Sequence, residues 1–227
     1  MKARYAATIL VAGLIFFAGY AALFIAPDER TMHLIQRIFY FHVPSWMAMF
    51  TALSVAFIAN IAYLATHKPT WDSWGVSAVE VGVVCCTIGL ATGPLWARPV
   101  WGIWWTWDAR LTTTLVLWLI YVSYLLLRRF AAGPQVQTLA AVLGIFGALD
   151  VPIVYMSNRW WRTQHPAPVF GGSEGSGMAP SMANVLLWNM LSWTLWGLLV
   201  LGLRYRVERK HQLNAQQEAL EALEAKI

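Results

Sequence analysis

Six stretches of this 227-residue chain are apolar, nearly free of charge and about twenty residues long, and that repetition limits the folds open to it. In hydrocarbon every backbone N–H and C=O has to be bonded within the protein, so a segment of this length and polarity folds as a helix that crosses a bilayer. The stretches fall at residues 6–26, 45–65, 76–95, 111–127, 135–156 and 183–203, separated by charged or Pro/Gly-rich breaks. Their apolar character runs all round rather than along one stripe, as lipid or the interior of a bundle requires. Charged residues make up 12% of the chain, half of the roughly 25% usual in soluble domains. The expected fold is therefore an all-α integral membrane protein, a bundle of six transmembrane helices occupying residues 1–207. Residues 208–227 then form a cytoplasmic tail, with Leu213, Leu220 and Leu223 spaced as on a solvated helix.

The net charge of +5 would suggest a polyanionic partner in a soluble protein, but here the bases flank apolar segments. Topology accounts for them and nucleic acid is not expected. Residues 6–26 exceed the h-region of a signal peptide, about 7–15 residues, so they read as a retained first span. With the N-terminus cytoplasmic, that side collects Lys2, Arg4, Lys68, Arg128, Arg129, Arg204, Arg206, Arg209, Lys210 and Lys226. The outer side collects Arg30, Arg37, Arg98, Arg110, Arg159 and Arg162. Ten bases against six place both termini inside, and the outer arginines call for another task. Cys85 and Cys86 are adjacent within an apolar span and have no other thiol to pair with, so they read as packing residues.

The outer side also receives residues 96–114, W-A-R-P-V-W-G-I-W-W-T-W-D-A-R-L-T-T-T, which hold five of the fourteen tryptophans. An interfacial belt needs one or two indoles per helix end. Five, with Arg98 and Arg110 beside them, supply enough π surface to cover a large planar ligand. On the same side lie His42, in Arg37-Ile-Phe-Tyr-Phe-His-Val-Pro-Ser-Trp46, and His165, in Arg159-Trp-Trp-Arg-Thr-Gln-His-Pro-Ala-Pro168. His33 shares that side but lacks their aromatic surroundings, whereas His67 and His211 fall on the cytoplasmic side as surface residues. Two imidazoles, an aromatic floor and a rim of guanidiniums are the parts a haem site needs: axial nitrogens for iron, indoles for the porphyrin, and Arg37, Arg98, Arg110, Arg159 or Arg162 for the propionates.

These motifs resemble a known family. Trp101-Gly-Ile-Trp-Trp-Thr-Trp-Asp-Ala-Arg-Leu-Thr112 looks like the tryptophan-rich "WWD" signature of haem-handling membrane proteins in cytochrome c maturation. The six-span length, Phe-His-Val-Pro-Ser-Trp and Arg-Thr-Gln-His-Pro resemble the CcmC family, the haem exporter C subunits of System I, over nearly the whole chain; the related CcmF and CcsA types are longer. The resemblance implies that haem b is held at the outer face between His42 and His165 as axial ligands, over Trp101, Gly102, Trp104, Trp105, Trp107 and Asp108, with Arg98 and Arg110 at the rim. It further implies delivery to the haem chaperone CcmE, with a vinyl edge presented to the chaperone's nucleophilic histidine, alongside CcmD and the CcmA and CcmB ATP-binding-cassette subunits. Pro166 departs from the family pattern, in which Gln often follows the second histidine.

No G-x-x-x-x-G-K-[ST] loop occurs, so ATP hydrolysis belongs to partners and the chain itself is not expected to be an enzyme. Rival readings are a membrane haem protein relaying electrons, disfavoured because there is no second histidine pair across the bilayer, and a haem-free scaffold subunit of a transporter. Two acids lie inside the apolar spans. Glu80 and Asp150 are close enough to span ends to snorkel, and Asp150 is a candidate partner for Arg159.

Overall fold

A computed structural model describes residues 2–165 and 178–225. The described residues are helical apart from short connections: α1 (Lys2–Tyr20), α2 (Phe39–Thr66), α3 (Pro69–Trp101), α4 (Ala109–Phe130), α5 (Val136–Trp160) and α6 (Pro180–Glu224). A π-helical turn, Ala21–Ile25, prolongs α1, and a 3-10 turn, Leu34–Ile38, leads into α2. All six helices are long and apolar enough to cross a membrane, and this is a multi-pass membrane protein.

The helices overrun the apolar stretches at almost every end. Polarity marks where a helix leaves hydrocarbon, not where its hydrogen-bond ladder stops. At the C-terminal end α6 runs unbroken through residues 207 and 208 to Glu224, so the helix expected in the tail continues the sixth span. The first turn of the supposed tail is docked: Gln212 Nε2 donates to Asp72 Oδ2 (2.8 Å) and its Oε1 accepts from the Ser73 hydroxyl (2.6 Å). Beyond it Leu213, Leu220 and Leu223 are exposed.

Helices α2 and α3 pack along a seam of seven-residue spacing that runs antiparallel. Gly75, Gly82 and Gly89 of α3 face Asn60, Leu53 and Trp46 of α2 in that order, and a Cβ on any of the three glycines would strike the facing side chain. Small residues let backbones approach closely where no hydrophobic drive separates helix from lipid. Ala48, Ala52, Ala56 and Ala59 extend the close contact, and Cys85 and Cys86 are buried there as packing residues. Helix α4 packs mainly on α5, so the core consists of two pairs, α2/α3 and α4/α5, joined in sequence by residues 102–108. Helix α6 lies on α2 and α3. Helix α1 attaches to α6, where buried Asn189 gives its amide N–H to the Ala18 carbonyl (3.0 Å).

At the end of the bundle where α3 begins and α4 finishes, ion pairs fasten the helices. Arg128 of α4 makes a two-pronged bond to buried Asp72 of α3 (2.5 and 2.9 Å). Arg204 of α6 grips Glu80 of α3 with two nitrogens and also reaches Glu208 (3.1 Å). Glu80 is therefore a structural tie between helices. Asp150 differs: its Oδ2 is buried with no hydrogen-bond partner, and it forms no ion pair with Arg159 among the described residues.

Candidate functional site

The opposite end gathers the start of α2, the end of α3, the start of α4 and the end of α5. The sequence places His42 in a loop just outside the second span, but the structure places it in the first turns of α2, only 6% exposed. The helix begins early because the 3-10 turn at Leu34–Ile38 feeds directly into it, and Pro44, inside the second turn of α2, has no N–H to give back to the Tyr40 carbonyl. His42 meets Trp96 of α3 edge-on (5.8 Å, 69°) and Trp46 of its own helix likewise (5.7 Å, 83°). Phe39 backs Trp96 on the other side (5.9 Å).

Both imidazole nitrogens of His42 have partners. Nε2 lies 3.0 Å from Trp46 Nε1, and Nδ1 lies 2.9 Å from Thr92 Oγ1 of α3. An indole nitrogen can only donate, so Nε2 is the acceptor and the proton of the neutral ring sits on Nδ1. Thr92 fits this assignment, because its own hydroxyl proton goes to the Ile88 carbonyl (2.8 Å), leaving the oxygen to accept.

The Trp-rich element is in part helix and in part loop. Trp96 and Trp101 belong to the last turns of α3, which Gly102 terminates at φ 77°, a left-handed conformation that glycine adopts without penalty from a Cβ. Arg98 reaches forward to the Gly102 carbonyl, closing the same turn. Trp104 and Trp107 are exposed, whereas Trp105 is half-buried and meets Trp107 edge to face at 77°, not in one plane. The indole N–H groups of Trp96 and Trp105 and the hydroxyl of Thr112 are buried without partners among the described residues. These are donors that a carboxylate-bearing ligand can satisfy, which fits a porphyrin with propionates.

Asp108 ends the loop and caps α4: its Oδ1 accepts from Leu111 N–H (3.0 Å) and its Oδ2 from the Thr106 hydroxyl (3.2 Å). The Thr163 hydroxyl lies close enough to stabilise the carboxylate, and the oxygen of Thr163 accepts from the backbone N–H of His165 (3.0 Å). Partial burial acts to raise the Asp108 pKa. The bond from Leu111, the Thr163 hydroxyl and the bond from Thr106, with His165 nearby, outweigh it and hold the carboxyl below its ordinary value. One acid of the Trp-rich loop thus caps the start of α4 and lies beside Thr163, whose oxygen holds the backbone of His165. His165 is half-buried and within electrostatic range of His42.

The arginines are largely engaged with their own chain. Arg110 crosses to the end of α5, donating to Ser157 Oγ (3.2 Å), the Tyr155 carbonyl (2.9 Å) and Asn158 Oδ1 (2.7 Å). It ties α4 to α5 below the loop. Arg37 pairs with Asp28 (3.1 Å), Arg159 lies over the Tyr155 ring (5.4 Å), and Arg162 is exposed. His33 sits exposed in a turn fastened by Glu29, whose carboxylate accepts from the Thr31 and Met32 N–H groups (2.7 and 2.6 Å). His67 caps α2 and His211 lies on α6, both exposed. Pro166 and Pro168 lie outside the described residues.

The structure thus brings His42, His165, Asp108 and Trp96 to one end of the bundle. Sequence reasoning passed over Trp46, Thr92 and Thr163 as roles. Trp46 lies four residues after His42, one helical turn, which is a legible signal once His42 is known to be helical.

Comparison with known proteins gives a consistent result. The family model described as heme exporter protein C matches residues 1–220. The chain is 36% identical over 178 residues to the heme exporter protein C of Bradyrhizobium diazoefficiens, covering 75% of this chain and 67% of that protein. It is 33% identical over 149 residues to a cytochrome c biosynthesis ccmC-like mitochondrial protein of Marchantia polymorpha, covering 65% and 63%. It is 30% identical over 210 residues to the heme exporter protein C of Escherichia coli K12, covering 90% and 79%. The aligned part spans about two thirds of the length of the first two.

Proposed function

This chain belongs to the heme exporter protein C family, and from that premise we propose that it binds haem b at the outer face of the bacterial inner membrane and delivers it to the haem chaperone CcmE for cytochrome c biogenesis. It is a haem-handling subunit of a CcmABCD-type assembly and not an enzyme. His42 and His165 are the axial ligands. Trp101, Gly102, Trp104, Trp105, Trp107 and Asp108 form the platform, with Arg98 and Arg110 supporting it, and the residues 102–108 face the periplasm while both termini face the cytoplasm.

The observation that supports this reading is the meeting at one end of the bundle of His42, packed edge-on by Trp96, and the Trp-rich loop, whose Asp108 lies within electrostatic range of His165. Each ligand belongs to a different helix pair, and the loop that joins the pairs carries the aromatic surface. A planar ligand bound between them is then gripped by α2/α3 through His42 and by the segment after α5 through His165. Exposed Trp104 and Trp107 leave that ligand near an open edge, where a partner can reach it.

The test is the visible spectrum of the detergent-purified protein, wild type beside His42→Ala and His165→Ala. A low-spin Soret band that weakens in both variants supports the bis-histidine site. Full haem content in both single variants rejects the ligand assignment. Loss of haem to added CcmE then separates a carrier from a redox protein that retains its haem.

A further inference from the structure

The bonding of His42 raises a question that the ligand assignment does not answer. The only lone pair on its ring is on Nε2, and that lone pair already accepts the indole N–H of Trp46 at 3.0 Å. Iron and the indole cannot share it. The indole is also seated: its benzo ring lies against Gly89 of α3, where even a single methyl group would collide with it. The opposite nitrogen is fixed as a donor, because Thr92 Oγ1 accepts from Nδ1–H while giving its own proton to the Ile88 carbonyl.

We infer that Trp46 is a latch on the ligand nitrogen of His42, holding the Nε2 lone pair in haem-free protein and displaced when iron bonds there, and that Thr92 is the positioning residue that keeps the proton on Nδ1. This rests on the reading of His42 as an axial ligand. The arrangement has two consequences. Buried His42 has a satisfied lone pair when no haem is present, so the empty site avoids an orphaned acceptor. Haem meets a competitor of about one hydrogen bond at this position, which lowers affinity and favours release to an acceptor protein. Thr92 governs the other side: a hydrogen bond accepted from Nδ1–H sets which nitrogen binds the metal and raises its donor strength.

The experiment uses the full chain in detergent, stripped of haem and titrated with ferric protoporphyrin IX, comparing wild type, Trp46→Phe, Thr92→Val, Thr92→Ser and His42→Ala. Trp46→Phe keeps an aromatic ring but removes the N–H. It is expected to bind haem about threefold to tenfold tighter, the range that one buried neutral hydrogen bond supports. Thr92→Val is expected to bind about tenfold more weakly and to raise the reduction potential of the bound haem, because a weaker imidazole donor stabilises ferric iron less. Thr92→Ser is expected to restore both. In haem-free protein labelled with 15N-tryptophan, the indole signal missing from Trp46→Phe identifies Trp46, and its N–H is expected to exchange slowly in wild type and rapidly in His42→Ala.

Loss of haem in His42→Ala with unchanged or weaker binding in Trp46→Phe overturns the latch and leaves the ligand reading intact. An unprotected Trp46 N–H in wild type overturns it as well. A Thr92→Val protein with wild-type potential overturns the role of Thr92. Wild-type affinity in His42→Ala removes the ligand reading itself.

Discussion

Asp108 offers the most direct perturbation of the site, because it does two separable jobs with one carboxylate. It caps α4 through Leu111 N–H and accepts from the Thr106 hydroxyl, and its charge is stabilised by the nearby hydroxyl of Thr163, whose oxygen holds the His165 backbone. Replacing an N-cap Asp by Ala costs about 1 kcal/mol. Each hydrogen bond to a charged acceptor is worth about 1.5–3 kcal/mol when buried, but Asp108 is only partly buried and solvent screening reduces this. About 1 kcal/mol for the tie to Thr163 is a fair discount, giving about 2 kcal/mol in all for Asp108→Ala, or about thirtyfold in haem affinity if the bound state depends on both jobs. Asn caps helices as well as Asp does. Asp108→Asn therefore keeps α4 intact but retains one acceptor oxygen where two are in use, and an intermediate loss of roughly threefold to tenfold is expected. Thr163→Val removes only the tie to His165 and is expected to resemble Asp108→Asn in affinity while melting like wild type. The assay is haem titration followed at the Soret band, with a thermal melt of each variant in the same detergent. Wild-type affinity in both Asp108→Ala and Thr163→Val refutes the claim that this connection positions His165.

Other regions give further expectations. Gly102→Ala forces a Cβ into a backbone at φ 77° and is expected to lower stability by about 1 kcal/mol, read as a lower melting temperature, with haem binding weakened through the displaced loop. Arg128→Ala strands buried Asp72 without its partner and is expected to cost about 3–5 kcal/mol; a melt within a degree of wild type rejects a fastening role for that pair. The Asp108 carboxyl has a depressed pKa in the folded protein, so its contribution is present above the unfolded value of about 3.9 and is lost as pH falls through the lower folded value. The wild-type stability advantage over Asp108→Asn is accordingly expected to hold from neutral pH to about 5 and to shrink below about 4; a difference independent of pH rejects it.

Apolar length revealed the six helices in the sequence, but not their ends or their pairing. The spans stop where polarity changes, whereas α3 continues through Pro94 and Pro99 to Trp101, and α6 continues for about six turns past its apolar part. The seam between α2 and α3 was written in the sequence as Gly75, Gly82 and Gly89, yet a glycine row has meaning only once the facing helix supplies Asn60, Leu53 and Trp46. At the candidate site, residue type singled out the histidines and tryptophans as candidates, while the groups that bond to them carry no signal of their own. Thr92 and Thr163 are ordinary residues in sequence, fifty positions after His42 and two before His165, and only the packing of α3 on α2 and of residue 163 on Asp108 makes them partners. Glu80 and Asp150 look alike as acids in apolar runs. One has Arg204 across a helix interface and the other has a buried oxygen without a partner, a distinction that resides in the neighbours and not in the local sequence.

The two ends of the bundle are held by different chemistry, and this bears on how a bound ligand can be given up. At the Arg128 end, partly buried carboxylate–guanidinium pairs link α3, α4 and α6, and breaking any one leaves a costly charge. At the His42 end the bonds to the imidazole are single neutral hydrogen bonds from a threonine and an indole, each worth about 1 kcal/mol net, the Arg37–Asp28 pair is partly exposed, and Arg110 joins α4 to α5 through neutral acceptors only. Helices α2/α3 and α4/α5 therefore have a stiff common base and a loosely fastened mouth bridged by residues 102–108. A carrier needs its ligand contacts to exchange one at a time against alternatives of similar strength, because contacts that are all strong make release slow. Neutral bonds around the His42 imidazole, opposite a base fastened by ion pairs, meet that requirement. A cluster of ion pairs at the mouth would not.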